Sequence, residues 1–448
     1  MRQTPLLAAL VLFASPVARA DTVEVSSTTM LTVGQQTRYR GGTTPDVVTV
    51  APAFEILSIS ARDIQYRFAS DVKFVVSGWG ALELMQDHRW DAGTTGSASG
   101  DLTTGYVEGR FFHRDVTVRV GRQLVATGNA HMLQLDGGLV SGMLPIAGAD
   151  LKLDAWVGSP TSQRFSSRSG LQSWNPTGGD LAYGGRVGLV LPMSGLAGRG
   201  LELGASANVV QEGSDPVKQE VGADFRFQPA AATNLTFAGN GAWSLYDARI
   251  AETNLAATWT AKPKLHVTAD WRYVEPSLLL ARNSILSVFT TSTWQEVGGG
   301  VRYDLSKGVK VGGDYHARIE PGATSGTDVG HDAVALVDWS QGRSSAGAEV
   351  SYLTGVVNGY YGLRVYGRRD LNAAGAFASV DVLAQHFEKS VNGESGAVTG
   401  TLSVGVPLAH GFTVVASGQA GMTPYLEQTY NFMAKLAYNQ TYRSTEVR

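Results

Sequence analysis

The chain has no cysteine among its 448 residues. That excludes a disulfide framework, any thiolate metal centre and a lipid anchor on an N-terminal cysteine. It also lacks long apolar runs. Beyond the first twenty residues, no segment approaches the roughly 18 uninterrupted apolar residues of a membrane-crossing helix. Charge of one sign is scarce too. The formal net charge is −3 and the pI is about 6.3, so there is no electrostatic footprint for nucleic acid. P-loop, EF-hand and His-rich metal spacings are all missing. The eight histidines are scattered, and none stands in a nucleophile motif. The expectation is therefore a protein that is not an enzyme and needs no cofactor or metal.

What is present is glycine, 54 residues of it, against an average near 7 %. Hydrophobic residues still make up 43 % of the chain. Apolar content without apolar runs means that the apolar residues are interleaved with polar ones. The start, MRQTPLLAALVLFASPVARA, is different. Arg2 precedes an apolar run from Leu6 to Ala14, and Ala18-Arg19-Ala20 is a small-x-small site. Residues 1–20 read as a secretory signal peptide and residues 21–448 as the exported protein.

The interleaving has period two. In GYVEGRFFHRDVTVRVGRQLVATG (105–128), Val107, Gly109 and Phe111 alternate with Glu108 and Arg110, and Val116, Val118 and Val120 with Thr117 and Arg119. The pattern recurs at 201–208, 221–227, 265–273, 301–305, 309–318 and 361–366. It ends with Tyr430, Phe432, Ala434, Leu436 and Tyr438 on one face. These segments run roughly 9–13 residues, the length a tilted strand needs to cross a bilayer, whereas soluble strands centre near 5–6. Short connections are expected near 113–115, 193–199, 262–263, 306–308, 341–345, 371–374 and 408–411. Longer ones are expected near 85–102, 161–180, 276–293 and 320–330. Short periplasmic turns and longer outer loops are the rule for outer-membrane barrels. The fold expected is all-β, a single transmembrane antiparallel up-and-down barrel of about 20 strands, between 18 and 22. Residues 21–54 read as an N-terminal segment or a first strand, and 129–148 as a weak strand pair or a loop folded into the lumen. Trp79, Trp156, Trp243, Trp259, Trp271, Tyr273, Tyr303, Tyr315, Trp339 and Tyr352 are expected in interfacial girdles.

In such a barrel one phase meets lipid, where a charge near the midplane costs about 2–4 kcal/mol. The charged phase must then face a wet lumen. It carries Glu108, Arg110 and Arg119, then Asp224 and Arg226, then Asp270 and Arg272. Arg302, Asp304, Lys310, Asp314 and Arg318 follow on the next hairpin, with Arg364 later. Asp154, Glu349 and Arg368 share that phase. These are the candidate pore-lining residues. Their mixed signs suit neutral or weakly charged polar solutes. Gly137-Gly138 and Gly298-Gly299-Gly300 read as strand kinks or places of close backbone approach.

Gly121-Arg122-Gln123, with Gly128 shortly after, resembles the G-R-Q…G signature of alginate-export-type barrels and related porins. The resemblance covers about residues 103–142; Asn129-Ala130-His131 stands where that family often carries acidic and arginine residues. It implies a monomeric barrel passing polar solutes or sugar polymers, with a polysaccharide cargo and a periplasmic polysaccharide-export partner. The expectation is thus a bacterial outer-membrane channel, in contact with outer-membrane lipid and polar or saccharide cargo. The alternative is a closed structural or adhesive barrel acting through its surface loops.

Overall fold

A computed structural model describes residues 22–38, 46–66, 69–85, 98–112, 115–126, 128, 133–161, 180–192, 200–229, 234–279, 293–321, 326–355 and 358–443. The signal peptide read at 1–20 lies outside them, as does most of the loops read at 85–102, 161–180 and 276–293. The strands are β1 Thr22–Arg38, β2 Asp46–Val50, β3 Pro52–Tyr66, β4 Ala69–Glu83, β5 Ala98–Phe111, β6 Val116–Val125, β7 Leu133–Ile146 and β8 Ala149–Pro160. They continue as β9 Leu181–Pro192, β10 Gly200–Glu212, β11 Asp215–Phe227, β12 Leu235–Ser244, β13 Arg249–Lys262, β14 Leu265–Val274, β15 Trp294–Ser306 and β16 Val309–Pro321. The last are β17 Thr327–Gln341, β18 Ser344–Leu353, β19 Tyr360–Asp370, β20 Phe377–Val391, β21 Glu394–Pro407, β22 Phe412–Thr423 and β23 Leu426–Arg443. Helix among the described residues is limited to short turns such as Pro276–Leu279.

β2 and β3 both pair antiparallel with β1, each strand from β3 onward pairs antiparallel with the next, and β1 pairs with β23 from Thr22↔Arg443 to Gly34↔Asn431. The sheet therefore has no free edge, which is the condition for spanning lipid without unpaired backbone groups. Of its 23 strands, β2 extends β3 past Ala51: Gly34↔Val50 continues the register of Leu31↔Ala53 on the same partner strand. Twenty-two strands form the ring, slightly above the expected number, and even as such barrels require.

The alternation sorts the two faces. Val120, Leu402 and Phe432 are each 60 % exposed, and apolar residues on most of the other strands share their outward phase. In water, an apolar belt around the whole ring would dwarf the few hundred Å² that soluble monomers expose. Lipid is the solvent that matches it. Trp259, Tyr303 and Trp339 stand on the outer face close to one end of the barrel, beside the short connections after β13, β15 and β17. Trp243 and Tyr361 are exposed near the other end. This is the distribution of an interfacial girdle. Trp156 is an exception: it is 3 % exposed and belongs to an apolar cluster with Val125, Leu135, Leu139 and Val210 on the inner face.

The strand ends that flank the expected short turns lie at one end of the ring and those that flank the expected long loops at the other, while residues 86–97, 113–114, 162–179, 193–199, 280–292 and 322–325 lie outside the described residues. Four connections at the loop end are nevertheless tight, at 213–214, 245–248, 392–393 and 424–425. Residues 133–146 form one wall strand, β7, closed by the turn Ala147-Gly148. The sequence hid it because both phases are apolar: Leu133, Leu135 and Leu139 point inward and are buried, while Val140, Leu144 and Ile146 point outward and are exposed. Gly121 sits where only glycine fits. Its φ is +128°, and a Cβ there would lie 2.2 Å from the Gly105 carbonyl oxygen. Gly121→Ala is expected to cost about 1–3 kcal/mol from backbone strain alone. Urea-dependent refolding followed by heat-modifiable gel mobility would measure it.

Candidate functional site

Strand alternation places the charged phase opposite the exposed apolar one, on the inner wall. The hairpin β5–β6 brings Glu108 and Arg119 into direct register. Arg119 Nε and Nη2 donate to Glu108 Oε2 at 3.0 and 2.7 Å. The same guanidinium lies 4.6 Å from the Tyr106 ring centre. Arg110 bridges Glu108 at 3.7 Å and Asp71 of β4 at 3.5 Å. Glu108 is buried, so this carboxylate is held by two guanidinium groups in place of water.

A larger cluster spans β8 to β11. Arg186 of β9 donates through Nε and Nη2 to Asp224 of β11 at 2.9 and 2.6 Å, and through Nη2 to Glu202 of β10 at 3.2 Å. Lys152 of β8 meets the same Glu202 oxygen at 3.1 Å. Arg186 reaches over β10 because Gly204 lies between; a Cβ there would be 2.4–2.6 Å from both partners. Arg226 stands opposite Glu202 in the β10–β11 ladder. Beside the cluster is a recess of about 540 Å³ lined by Asp154, Arg186, Asp224, Asn240, Asn254 and the backbone at Gly128, among others. Its lining mixes these polar groups with Ala126, Phe225, Ala238 and Ala256.

The remaining predicted residues pair within their own regions. Asp270 meets His316 at 3.2 Å. Arg272 bonds Glu252 at 3.3 Å and lies 5.3 Å from the Trp294 ring centre. Arg318 covers the same ring at 4.5 Å and pairs with Glu320. Arg302 pairs with Asp314 across the β15–β16 hairpin, and Lys310 stands 4.0 Å from Asp304. Arg364 grips Asp381 with Nε at 3.0 and 3.1 Å from its two oxygens, and Glu349 faces Arg364 in register. Arg368 bonds Asp370 at 3.2 Å.

The sequence reading missed Arg186, Lys152 and Trp294 as members of these clusters. Arg186 was legible: Leu181, Tyr183, Val187, Leu189 and Leu191 share one phase, but Gly184-Gly185 blurs it. The G-R-Q motif proves to belong to the wall. Arg122 is bound to Asp136 at 2.7 and 2.8 Å and to Asp101 at 3.1 Å. Gln123 is fully buried and donates to the Gly137 carbonyl at 3.1 Å. The Arg122 guanidinium and the Gln123 amide nitrogen are both engaged in knitting β5, β6 and β7 together, so the motif carries no weight for a polysaccharide cargo or an export partner.

No model of a known protein family matches the chain, and no curated protein does. Among solved structures, it is similar to Acinetobacter baumannii OccAB4, at 9 % identity over 96 % of this chain and 100 % of that one, with a TM-score of 0.46. It is also similar to Pseudomonas aeruginosa OpdK with vanillate, at 11 % identity over 94 % and 98 %, TM-score 0.44. P. aeruginosa OccK3 (OpdO) shares 10 % identity over 98 % and 100 %, TM-score 0.41. These similarities are too distant to bear on residues or cargo. By its closed ring, its even strand number and its apolar outer belt, the chain is a β-barrel of the bacterial outer membrane.

Proposed function

We propose that the barrel is a passive conduit for small polar solutes. The observation that supports this most directly is the inner wall, which holds charges of both signs, close-paired and hydrogen-bonded, inside a closed ring. Paired charges leave a polar surface with little net field, which suits neutral or weakly charged solutes better than one ion class. Glu108, Arg110, Arg119, Asp224, Arg226, Asp270, Arg272, Arg302, Asp304, Lys310, Asp314, Arg318 and Arg364 would line that path.

The test is single-channel conductance of the refolded protein in a planar bilayer, with the reversal potential read under a salt gradient. A steady open current with weak ion preference is the expected result. Folded, heat-modifiable protein that passes no current would favour the closed structural or adhesive reading instead. Within a conducting barrel, Arg302→Ala combined with Arg318→Ala removes two inner-wall cations and leaves Asp314 and Glu320. The reversal potential should move toward cation preference while the gel mobility of the folded form stays unchanged. An unmoved potential would take these two residues off the conducting path.

A further inference from the structure

We propose that Asp270, Glu296 and His316 form a binding site for a divalent transition-metal ion of the zinc class on the inner wall. Three neighbouring strands build it. Asp270 of β14 stands opposite Gly298 of β15, and Gly298 stands opposite His316 of β16. A Cβ on Gly298 would lie 2.3 Å from His316 Cδ2. The missing side chain is what lets the imidazole cross the middle strand and bring Nε2 to 3.2 Å from Asp270 Oδ1. Glu296, two residues before Gly298, shares its face. One ligand atom from each of the three residues falls within 4.8 Å of the others. Donors bound to one zinc at about 2.0–2.1 Å sit roughly 3.3 Å apart, so modest rotamer changes close the set.

The donor chemistry selects the ion. One imidazole nitrogen with two carboxylate oxygens suits zinc and its first-row neighbours, whereas magnesium and calcium take oxygen alone. Two cations, Arg272 and Arg318, flank Glu296 in register. Both are drawn away: Arg272 bonds Glu252, Arg318 pairs with Glu320, and each lies over the Trp294 ring. Four carboxylates against two guanidinium groups leave a local field that attracts a cation. The side chains of His316 and Asp270 keep 24 % and 36 % of their surface, so an ion in lumenal water can reach them. Gly298 would then be the residue of the triple-glycine run that builds the site.

Binding needs no conduction, so it can be tested apart from the proposed transport. Untagged, refolded full-length barrel in detergent would be titrated calorimetrically with zinc chloride, with magnesium chloride as the control. One zinc per barrel is expected, with no matching magnesium signal. His316→Ala and Glu296→Gln should each weaken zinc binding by roughly 10–100-fold or more, the loss seen even for outer-sphere partners of a metal. Heat-modifiable mobility would show that each variant is folded. If His316→Ala does not fold, Glu296→Gln, which keeps shape and removes only charge, decides. Wild-type protein that binds no zinc, or a folded variant that binds it unchanged, overturns the proposal. A conducting barrel without a zinc site would do so while leaving the transport reading intact.

Discussion

Leu402→Arg should destabilise the barrel by about 2–4 kcal/mol in lipid vesicles, the cost of an arginine near the bilayer midplane. Leu402 is near the middle of β21, opposite Val380 and Gly418, and is 60 % exposed on the outer face. Its chain neighbour Thr401 points to the inner wall by alternation. Thr401→Arg is therefore the control, with an expected change of about 0.5 kcal/mol or less, as for ordinary wetted positions. The measurement is reversible urea unfolding of both variants in vesicles. A soluble barrel would tolerate the two substitutions equally, because both side chains would meet water. Equal stabilities would sink the membrane assignment of this face, and a gap of the stated size would fix which phase meets lipid.

Arg186→Ala should cost about 3 kcal/mol, because removing one partner of a hydrogen-bonded internal charge pair leaves the other uncompensated. The lower end of the usual range applies because Asp224 and Glu202 keep 23 % and 27 % of their side-chain surface and Lys152 still holds Glu202. The chief loss is the two-point grip on Asp224. Adding Asp224→Ala should recover much of the stability, and the double-mutant cycle would give the coupling energy directly. A conducting Arg186→Ala barrel should also prefer cations more than the wild type, since two carboxylates lose their shared counter-charge. Additive single effects in the cycle would mean that the pair is a lumenal surface contact of little consequence.

The residues explain how far the sequence could be read. Strands such as β14 and β16 announce themselves because apolar residues recur at almost every second position and those between are mostly polar, charged or glycine. β7 does not, because Leu135 and Leu139 belong to an inner apolar cluster and leave no polar phase. β9 is blurred by Gly184-Gly185. Face is a local property, fixed by parity along one strand. Partnership is not: whether Arg186 meets Asp154, which stands opposite it in register, or Asp224 two strands away depends on the glycine in the strand between. The same holds for Asp270 and His316, which meet over Gly298. Sequence parity thus assigns each charged residue a phase but does not say which of them touch. The short G-R-Q resemblance misled for a related reason, since a motif can recur because it solves a backbone problem at Gly121.

The pairing of β1 with β23 also has a consequence in time. Thr22 of β1 pairs with Arg443 of β23, so the seam cannot be zipped until every strand between them is in hand. Every other neighbouring pair of wall strands is a hairpin that could form locally, yet none of them can bury both its edges alone. Until β23 meets β1, two strand edges stay unsatisfied, so ring closure is the pairing with the greatest separation along the chain.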